Sequence, residues 1–339
     1  MESQYKNNKI SLELGPFQGI TDVLFRNCFQ ETFTGIDKFY TPFFSGIHTA
    51  NSKNLKTEEI DPDSNNVKIL TPQILSNEAD EIIRFATQCH LMGYEEINLN
   101  MGCPYPQVAR KKRGAGLLPF ATQTEQMLNN LTNELPLSFS IKCRLGYYNK
   151  TEIDYLIPLF NSIPLSSLIV HARLGKQMYT GQPDHDKYTQ IESLIQSKKV
   201  YNGDIFAPED ITTLLSKFDS THTWMLGRGI LADPFLASDI KGITLSLSAE
   251  EKKEIVYHFI QNLYLKRRKA RRDNPALIGR MKELWSYLHL SFSESDTAWR
   301  LIRKSKNFEE YESAVHRIFD EMHWVGQGYQ RSLTTAIET

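Results

Sequence analysis

Cysteine is scarce: the 339 residues contain four, Cys28, Cys89, Cys103 and Cys143, widely spaced and without a CxxC pair. That pattern excludes a disulfide framework and a zinc-type ligand spacing, and it fits a reducing compartment. Long apolar runs are also missing; none approaches the roughly 20 residues of a membrane-spanning helix, and the stretch MESQYKNNKI is polar. No membrane association and a cytoplasmic location are therefore expected. Excess charge of one sign is absent: 39 Lys and Arg stand against 40 Asp and Glu, for a formal net charge of -1. A chain that coats nucleic acid with a uniform positive field is excluded, whereas one local basic patch is not. No internal repeat or low-complexity tract is present. What remains is 40% hydrophobic and 23% charged residues, the composition of a soluble globular protein. At this length, one large domain plus a smaller one is the natural expectation.

Short apolar or alternating runs recur up to residue 243: SLELGP from Ser11, KFYTPFF from Lys38, VKILTPQI from Val67, EEINLN from Glu95, LSFSIKC from Leu137, SSLIVHA from Ser166, KVYNGDI from Lys199 and WMLGRG from Trp224. Helical stretches separate most of them. Between the third and fourth, Ser76 or Asn77 is a candidate cap for a helix carrying Ala79, Ile82, Ile83, Ala86 and Cys89 at helical spacing, with Gly93 as its terminator. Repeated βα units imply a parallel sheet with right-handed crossovers, and eight of them predict an α/β fold of the closed (β/α)8 TIM-barrel type. An open doubly wound sheet is the alternative. The polar segment HTANSKNLKTEEIDPDSNN from His48 breaks the pattern and is expected to be a loop near the barrel mouth. Beyond residue 243 the strands stop. SAEE at Ser248 resembles a capping box, and patterns through Ile255, Phe259 and Leu263, then 278–290, 296–302 and 308–322, predict helices. The expected division is a barrel domain over 1–243 followed by a small all-helical domain over 244–339.

Residues at the carboxyl ends of barrel strands line active sites. Here those ends read GPFQG, PQ, NMGCP, KCR, HAR, NGD and GRG, polar or glycine-rich where a plain core would have more valine. Taken singly, Gln73 is more often a turn residue and His171 a satisfied core histidine; their sum points to a site. The sharpest stretch is EEINLNMGCPYPQVARKKRGAGLL, Glu95 to Leu118. It puts Cys103 at the end of a buried strand, stiffens it with Pro104, and follows it with Lys111, Lys112, Arg113 and then Gly-Ala-Gly. A thiol so placed is a reagent, whereas Cys28, Cys89 and Cys143 lie within periodic helices or strands as small apolar residues. NGD at Asn202 to Asp204 and GRG at Gly227 to Gly229 fall on the seventh and eighth strands. Loops after those strands commonly bind phosphate through backbone N–H groups and close approach at glycine, and Arg228 adds charge. A phosphorylated cofactor is expected; a pair of tight turns is the plainer reading.

In that order, GPFQGITDVLFR, NLNMGCPYPQV with RGAGLL, IKCRLG, HAR, NGD and GRGIL resemble the tRNA-dihydrouridine synthases, FMN-dependent flavoenzymes with a TIM barrel and a helical tRNA-binding domain. The resemblance covers nearly the whole chain. GRMKELWSYL, Gly279 to Leu288, is similar to the bacterial branch that modifies uridine 16 of the tRNA D-loop. The resemblance implies NADPH-dependent reduction of the C5–C6 bond of that uridine, with hydride passing from FMN to C6 and a proton from an acid to C5. Cys103 takes the acid role, because a thiol with a pKa near about 8.5 is protonated at neutral pH yet releases a proton readily.

Flavin contacts are implied as well. Pro16, Phe17 and Gln18 would lie along the ring, with Phe17 where the family usually has methionine. Gln73 would bond the isoalloxazine edge, and Asn100 would approach the flavin or the uracil. Lys142 would sit near N1 and O2, where positive charge stabilises the anionic reduced ring. His171 would contact the flavin or its phosphate tail. Asn202, Gly203, Asp204, Gly227 and Arg228 would hold the ribityl phosphate end, Asp204 through ribityl hydroxyls or a loop amide.

LKRRKARRD, Leu265 to Asp273, places six basic residues in seven positions. Any single run of this kind is most simply a solvated face. Taken together, Lys111, Lys112, Arg113, Arg173 and Lys176 near the mouth, with Lys266, Arg267, Arg268, Arg271, Arg272, Arg280 and Lys282 in the helical region, are expected to bind tRNA backbone while the target base is flipped out. Two departures from the family lie on the substrate side: Thr41-Pro42 replaces Thr-Glu after the second strand, and Leu174-Gly175 replaces Thr-Lys after HAR. The expected protein is a monomer with no obligate protein partner. Two alternatives stay open: an FMN-dependent dihydropyrimidine or dihydroorotate oxidoreductase acting on a free base, and a noncatalytic RNA-binding barrel.

Overall fold

The computed structural model describes residues 10–49, 54–55, 57–131, 134–243, 246–270 and 274–329. Its parallel sheet has nine strands: β1 Ser11–Leu14, β2 Lys38–Tyr40, β3 Leu70–Thr71, β4 Gln73–Ile74, β5 Glu96–Met101, β6 Ser138–Gly146, β7 Leu165–Leu174, β8 Lys198–Asn202 and β9 Thr223–Leu226. Their order is β3-β2-β1-β9-β8-β7-β6-β5-β4. β3 and β4 are halves of one run broken at Pro72, which has no N–H to give to a ladder. β3 pairs with β2, β4 pairs with β5, and the Pro72 carbonyl still accepts from Asn98 N at 2.9 Å. The order thus returns on itself as a TIM-type barrel. Each of the eight expected runs occupies one position in it, and the open-sheet alternative is set aside.

Period-two alternation sorts the residues of β5 and β6 onto two faces. Ile97, Leu99 and Met101 are fully buried on one side, while Glu96, Asn98 and Asn100 share the other. Register then lines up polar neighbours across strands: Asn98 with Ser140, Asn100 with Lys142, Arg144 with His171, and His171 with Asn202. An apolar cluster of Tyr40, Ile169, Val200 and Met225 is completely buried, and Tyr40 Oη donates to Glu13 Oε2 at 2.8 Å.

The helix Ala79–Leu91 follows β4, but its cap residue is Glu78 and not Ser76 or Asn77. Ser76 Oγ instead bonds to Glu81 Oε2 at 2.6 Å, and Gly93 with a φ of 86° ends the turn as expected. Of the loop expected from His48, residues 50–53 and 56 lie outside the described residues; the short 3-10 turn Thr57–Glu59 belongs to it.

The chain divides into two compact units. The first, 10–16 with Asp37–Gly203 and Thr213–Met225, carries nearly all of the sheet; the second is Phe17–Ile36 with Asp204–Thr212 and 226–329. Within the second, the helix Val23–Thr32 packs on the helix Ala249–Ala270, with Phe25, Phe29 and Phe33 each in ring contact with Phe259 at 5.8, 6.3 and 5.1 Å. Packing therefore groups this early helix with the late ones, although among the described residues no named strand follows Leu226. Ser248 forms the expected capping box, its Oγ accepting from Glu251 N at 3.2 Å and its N donating to Glu251 Oε2 at 2.8 Å. The helices Ala276–Leu288, Ser295–Lys304 and Phe308–Glu321 follow, with the indole N–H of Trp285 bonded to Tyr311 Oη at 3.0 Å in their core. Among the described residues, no helix is long and apolar enough to cross a membrane.

Candidate active site

The first unit builds its site outward from the end of β5. Asn100 Oδ1 accepts the backbone N–H groups of Gly102 at 3.0 Å and Cys103 at 2.9 Å. Asn100 Nδ2 donates to Gln73 Oε1, Gln73 Nε2 to Asn98 Oδ1, both at 2.8 Å, and Asn98 Nδ2 to Ser140 Oγ at 2.9 Å. Buried amides must find such partners, so the strand register converts four polar residues into one continuous chain that ends on the cysteine loop. Asn98 and Ser140 were not singled out from sequence. The available signal was the alternation of Glu96, Asn98 and Asn100 in EINLN.

Two further elements hold that loop. The 3-10 turn Gly114–Leu117 lies against it, with Ala115 N donating to Cys103 O at 3.0 Å. Gly114 has a φ of 58°, and a Cβ there would stand 2.7 Å from Cys103 O, so the Gly-Ala-Gly of the sequence is the packing partner of the cysteine. On the other side Arg144 Nε donates to Gly102 O at 3.0 Å while Nη1 reaches Leu174 O at 2.8 Å and Met178 O at 2.7 Å. Arg144, also missed from sequence, ties the loops after β5 and β7 together. Its signal was the two-residue spacing from Lys142 along one face of β6.

Cys103 is 8% exposed. Burial pushes its thiol up, against the weaker pull of the Tyr105 N–H and the charges of Arg144 and Lys142. The group therefore stays protonated at neutral pH, with cations nearby to receive a thiolate. Lys142 moves the other way: burial first, then the Arg144 charge, lower its pKa to about 8. Its Nζ donates to Asn202 Oδ1 at 2.9 Å, a neutral amide that supplies no countercharge, and Asn202 Nδ2 in turn donates to Met225 O at 2.9 Å. His171 is buried, 3.5 Å from Arg173 Nη1 and with its ring 6.1 Å from that of Tyr179. Pro16 follows β1 and Gly203 follows β8. Cys143 is fully buried and pushed up to about 12, and Cys89 is raised further by burial alone, as inert core thiols should be. Burial raises Cys28 too.

In the second unit, Phe17 N donates to Thr21 Oγ1 at 2.9 Å and the Phe17 ring meets Tyr287 edge-on at 6.0 Å; Gln18 is exposed. A Cβ on Gly227 would lie 3.5 Å from Phe17 Cζ. Arg228 Nη2 donates to Asp204 Oδ1 at 2.6 Å, so the Asp204 carboxylate is an arginine partner.

The basic residues separate into kinds. Lys111, Lys112 and Lys176 are exposed, with Lys112 Nζ 4.2 Å above the Phe120 ring and Lys176 Nζ 4.4 Å above that of Tyr148. Arg113 pairs with Glu78 at 2.9 Å and Glu81 at 3.3 Å, Lys266 with Glu31 at 2.7 Å, Arg268 with Glu312 at 2.9 Å, and Arg280 with Glu283 at 3.3 Å. Lys282 Nζ donates to Arg303 O at 2.9 Å and Ser305 O at 2.5 Å. Arg173 and Arg267, expected at an RNA surface, are interior residues, each 1% exposed. Arg173 donates to Gly181 O at 2.5 Å, and Arg267 donates to both Asp22 carboxylate oxygens at 3.0 Å and to Ile20 O at 2.9 Å. Arg271 and Arg272 lie outside the described residues.

A parallel barrel whose strand ends present a protonated thiol, a lysine with a lowered pKa and a row of oriented amides has the constitution of a barrel enzyme. The dihydrouridine synthase (Dus) family profile matches residues 13–322. The chain belongs to the dihydrouridine synthase family, and by class it is an FMN-dependent oxidoreductase. The tRNA-dihydrouridine(16) synthase of Neisseria meningitidis serogroup A is 25% identical over 327 residues, covering 93% of this chain and 96% of that one. The tRNA-dihydrouridine synthase B of Pasteurella multocida is 26% identical over 262 residues, 74% of this chain and 76% of its own. Among solved structures, histamine dehydrogenase from Rhizobium sp. 4-9 superposes with a TM-score of 0.51 at 10% identity, over 74% of this chain and 48% of that one, a likeness of fold.

Proposed function

We propose that this protein is a cytoplasmic tRNA-dihydrouridine synthase that reduces the C5–C6 bond of uridine 16 in the tRNA D-loop. The observation that carries the mechanism is the hold of Asn100 Oδ1 on the N–H groups of Gly102 and Cys103, because it fixes the thiol at the end of β5. The donor set of the first unit also fits a flavin: an ammonium bound to a neutral amide, and a chain of oriented amides ending at the same loop. Bound FMN would supply hydride chemistry toward C6 of the uracil, with NADPH as its reductant. Gln73 and Asn100 would orient the ring edge, and the Lys142 ammonium would favour negative charge at it. Cys103 gives its proton to C5, and the charges of Arg144 and Lys142 then stabilise the thiolate it becomes. The family resemblance assigns the FMN phosphate to Gly227 and Arg228, with Asp204 as the carboxylate partner of Arg228.

Exposed Lys111 and Lys112, close in sequence to the cysteine loop, and Lys176 bind RNA phosphates, and the barrel over 1–243 and the helices over 244–339 act as catalytic and tRNA-binding parts of a monomer. The alignment with the Neisseria relative over 93% of the chain supports uridine 16 as the target. The test is mass-spectrometric mapping of dihydrouridine in tRNA from cells with and without the protein. Loss at position 16 alone is expected. Loss at another position would reassign the target, and reduction of free uracil with tRNA untouched would replace this reading with a free-base oxidoreductase.

A further inference from the structure

Arg228 of the second unit is held from several sides. Its Nη2 donates to Asp204 Oδ1 and its Nη1 to the hydroxyl of Tyr329, each at 2.6 Å. The guanidinium carbon lies 4.8 Å from the Tyr329 ring centre and 5.5 Å from that of Phe206. Those two rings stack on each other at 4.4 Å with 26° between their planes. The Arg228 side chain is only 10% exposed.

Tyr329 is brought to this place by a segment with its own anchors. Trp324 pairs with Phe292 as an antiparallel bridge, and Val325 N donates to Ser291 O at 2.8 Å. Gln327 N donates to the buried Asp233 Oδ2 at 2.8 Å, and Gly328 N to Ser291 Oγ at 3.3 Å. The hydroxyl thus approaches Arg228 from a stretch 101 residues away in sequence, whose backbone is bonded in place just before the ring.

We propose that Tyr329 is a positioning residue for Arg228, orienting its guanidinium for the phosphate of FMN; this rests on the reading of Arg228 as a phosphate ligand. A planar guanidinium binds phosphate well only when its fork is aimed. Asp204 alone fixes one end of that fork and would draw the group toward the carboxylate. The phenol fixes the other end without adding negative charge, and the stacked Phe206 and Tyr329 rings hold the guanidinium plane by cation–π contact.

The test compares FMN with riboflavin, which lacks only the phosphate, as ligands of the flavin-stripped full-length protein, by flavin fluorescence titration. For Tyr329→Phe, riboflavin affinity should match that of the unmodified protein while FMN affinity falls by about tenfold, the scale of a hydrogen bond to a charged group. Tyr329→Leu, which also removes the stacking, should narrow the gap between the two ligands further. If both variants keep the original FMN-to-riboflavin ratio while Arg228→Met collapses it, Arg228 binds phosphate and Tyr329 does not position it. An equal loss of both ligands in Tyr329→Phe would make the residue merely structural and overturn the inference. If Arg228→Met itself leaves the ratio unchanged, the phosphate reading of Arg228 fails and the inference falls with it.

Discussion

Asn100 and Cys103 are joined by a side-chain-to-backbone bond of 2.9 Å, Oδ1 accepting from the cysteine N–H. The same oxygen takes the Gly102 N–H, and the Asn100 amide nitrogen is committed to Gln73. One side chain therefore sets both the loop that carries the thiol and an amide proposed to meet the flavin. In Asn100→Ala, two backbone donors and the Gln73 carbonyl lose their partner. Denaturant unfolding should show a loss of about 1–3 kcal/mol, and turnover should fall by more than FMN affinity does. Asn100→Asp, which accepts but cannot donate to Gln73, should recover the stability lost in the alanine variant more fully than the turnover. Equal recovery of both would separate the loop from the Gln73 link.

Cys103→Ala should retain FMN and slow the reduction of tRNA uridine in single turnover by about 10²–10⁴-fold, the usual scale for a positioned acid. Because burial raises the thiol, the protonated acid persists above its ordinary range. The alkaline fall of the single-turnover rate should therefore lie above about pH 8.5 and vanish in Cys103→Ala. A fall centred below that value would assign the titration to another group.

Lys142 has a pKa lowered to about 8, and an electron-rich ring edge placed against it would raise that value. Binding then takes up a proton, so FMN affinity is full below pH 8 and declines as pH rises through the free-protein value. Lys142→Met should bind FMN more weakly at pH 7 and show no such decline between about pH 7 and 9.5. Lys142→Arg, which does not lose its charge in this range, should also be flat. Titrations at several pH values decide this.

Arg267 and Lys112 should behave differently, although both were expected to meet RNA. Arg267 is buried on Asp22, and Arg267→Ala leaves that carboxylate with the Phe25 N–H but without its cation; a stability loss of about 3 kcal/mol is expected from unfolding curves. Lys111→Ala with Lys112→Ala should leave stability within about 0.5 kcal/mol. That double variant should instead reduce the salt dependence of tRNA binding, by about 0.7–0.9 in slope for each phosphate no longer neutralised. An unchanged slope would remove these lysines from the interface.

Local pattern was enough for much of this protein. Alternating runs at Ser11, Glu95 and Leu137, the glycines after strands seven and eight, and the capping box at Ser248 were legible because each depends on residues a few positions apart. The same holds for Cys103, whose strand-end position is a local fact, and for the ordered motifs that identify the family.

Tertiary structure alone decided which polar groups meet. Arg267 reads as one cation among six in LKRRKARRD, yet it is interior because Asp22, 245 residues earlier, stands opposite it. A charged side chain is buried only where a partner offsets its desolvation, and no spacing within its own segment announces that partner. Gln73, Asn98, Asn100 and Ser140 join into one chain through strand register, and Arg144 spans two loops that only the barrel brings together. Sequence determined the strands, the family and the candidate thiol; the closed sheet determined what holds that thiol and which cations remain at the surface, because hydrogen bonding and burial depend on distance in space.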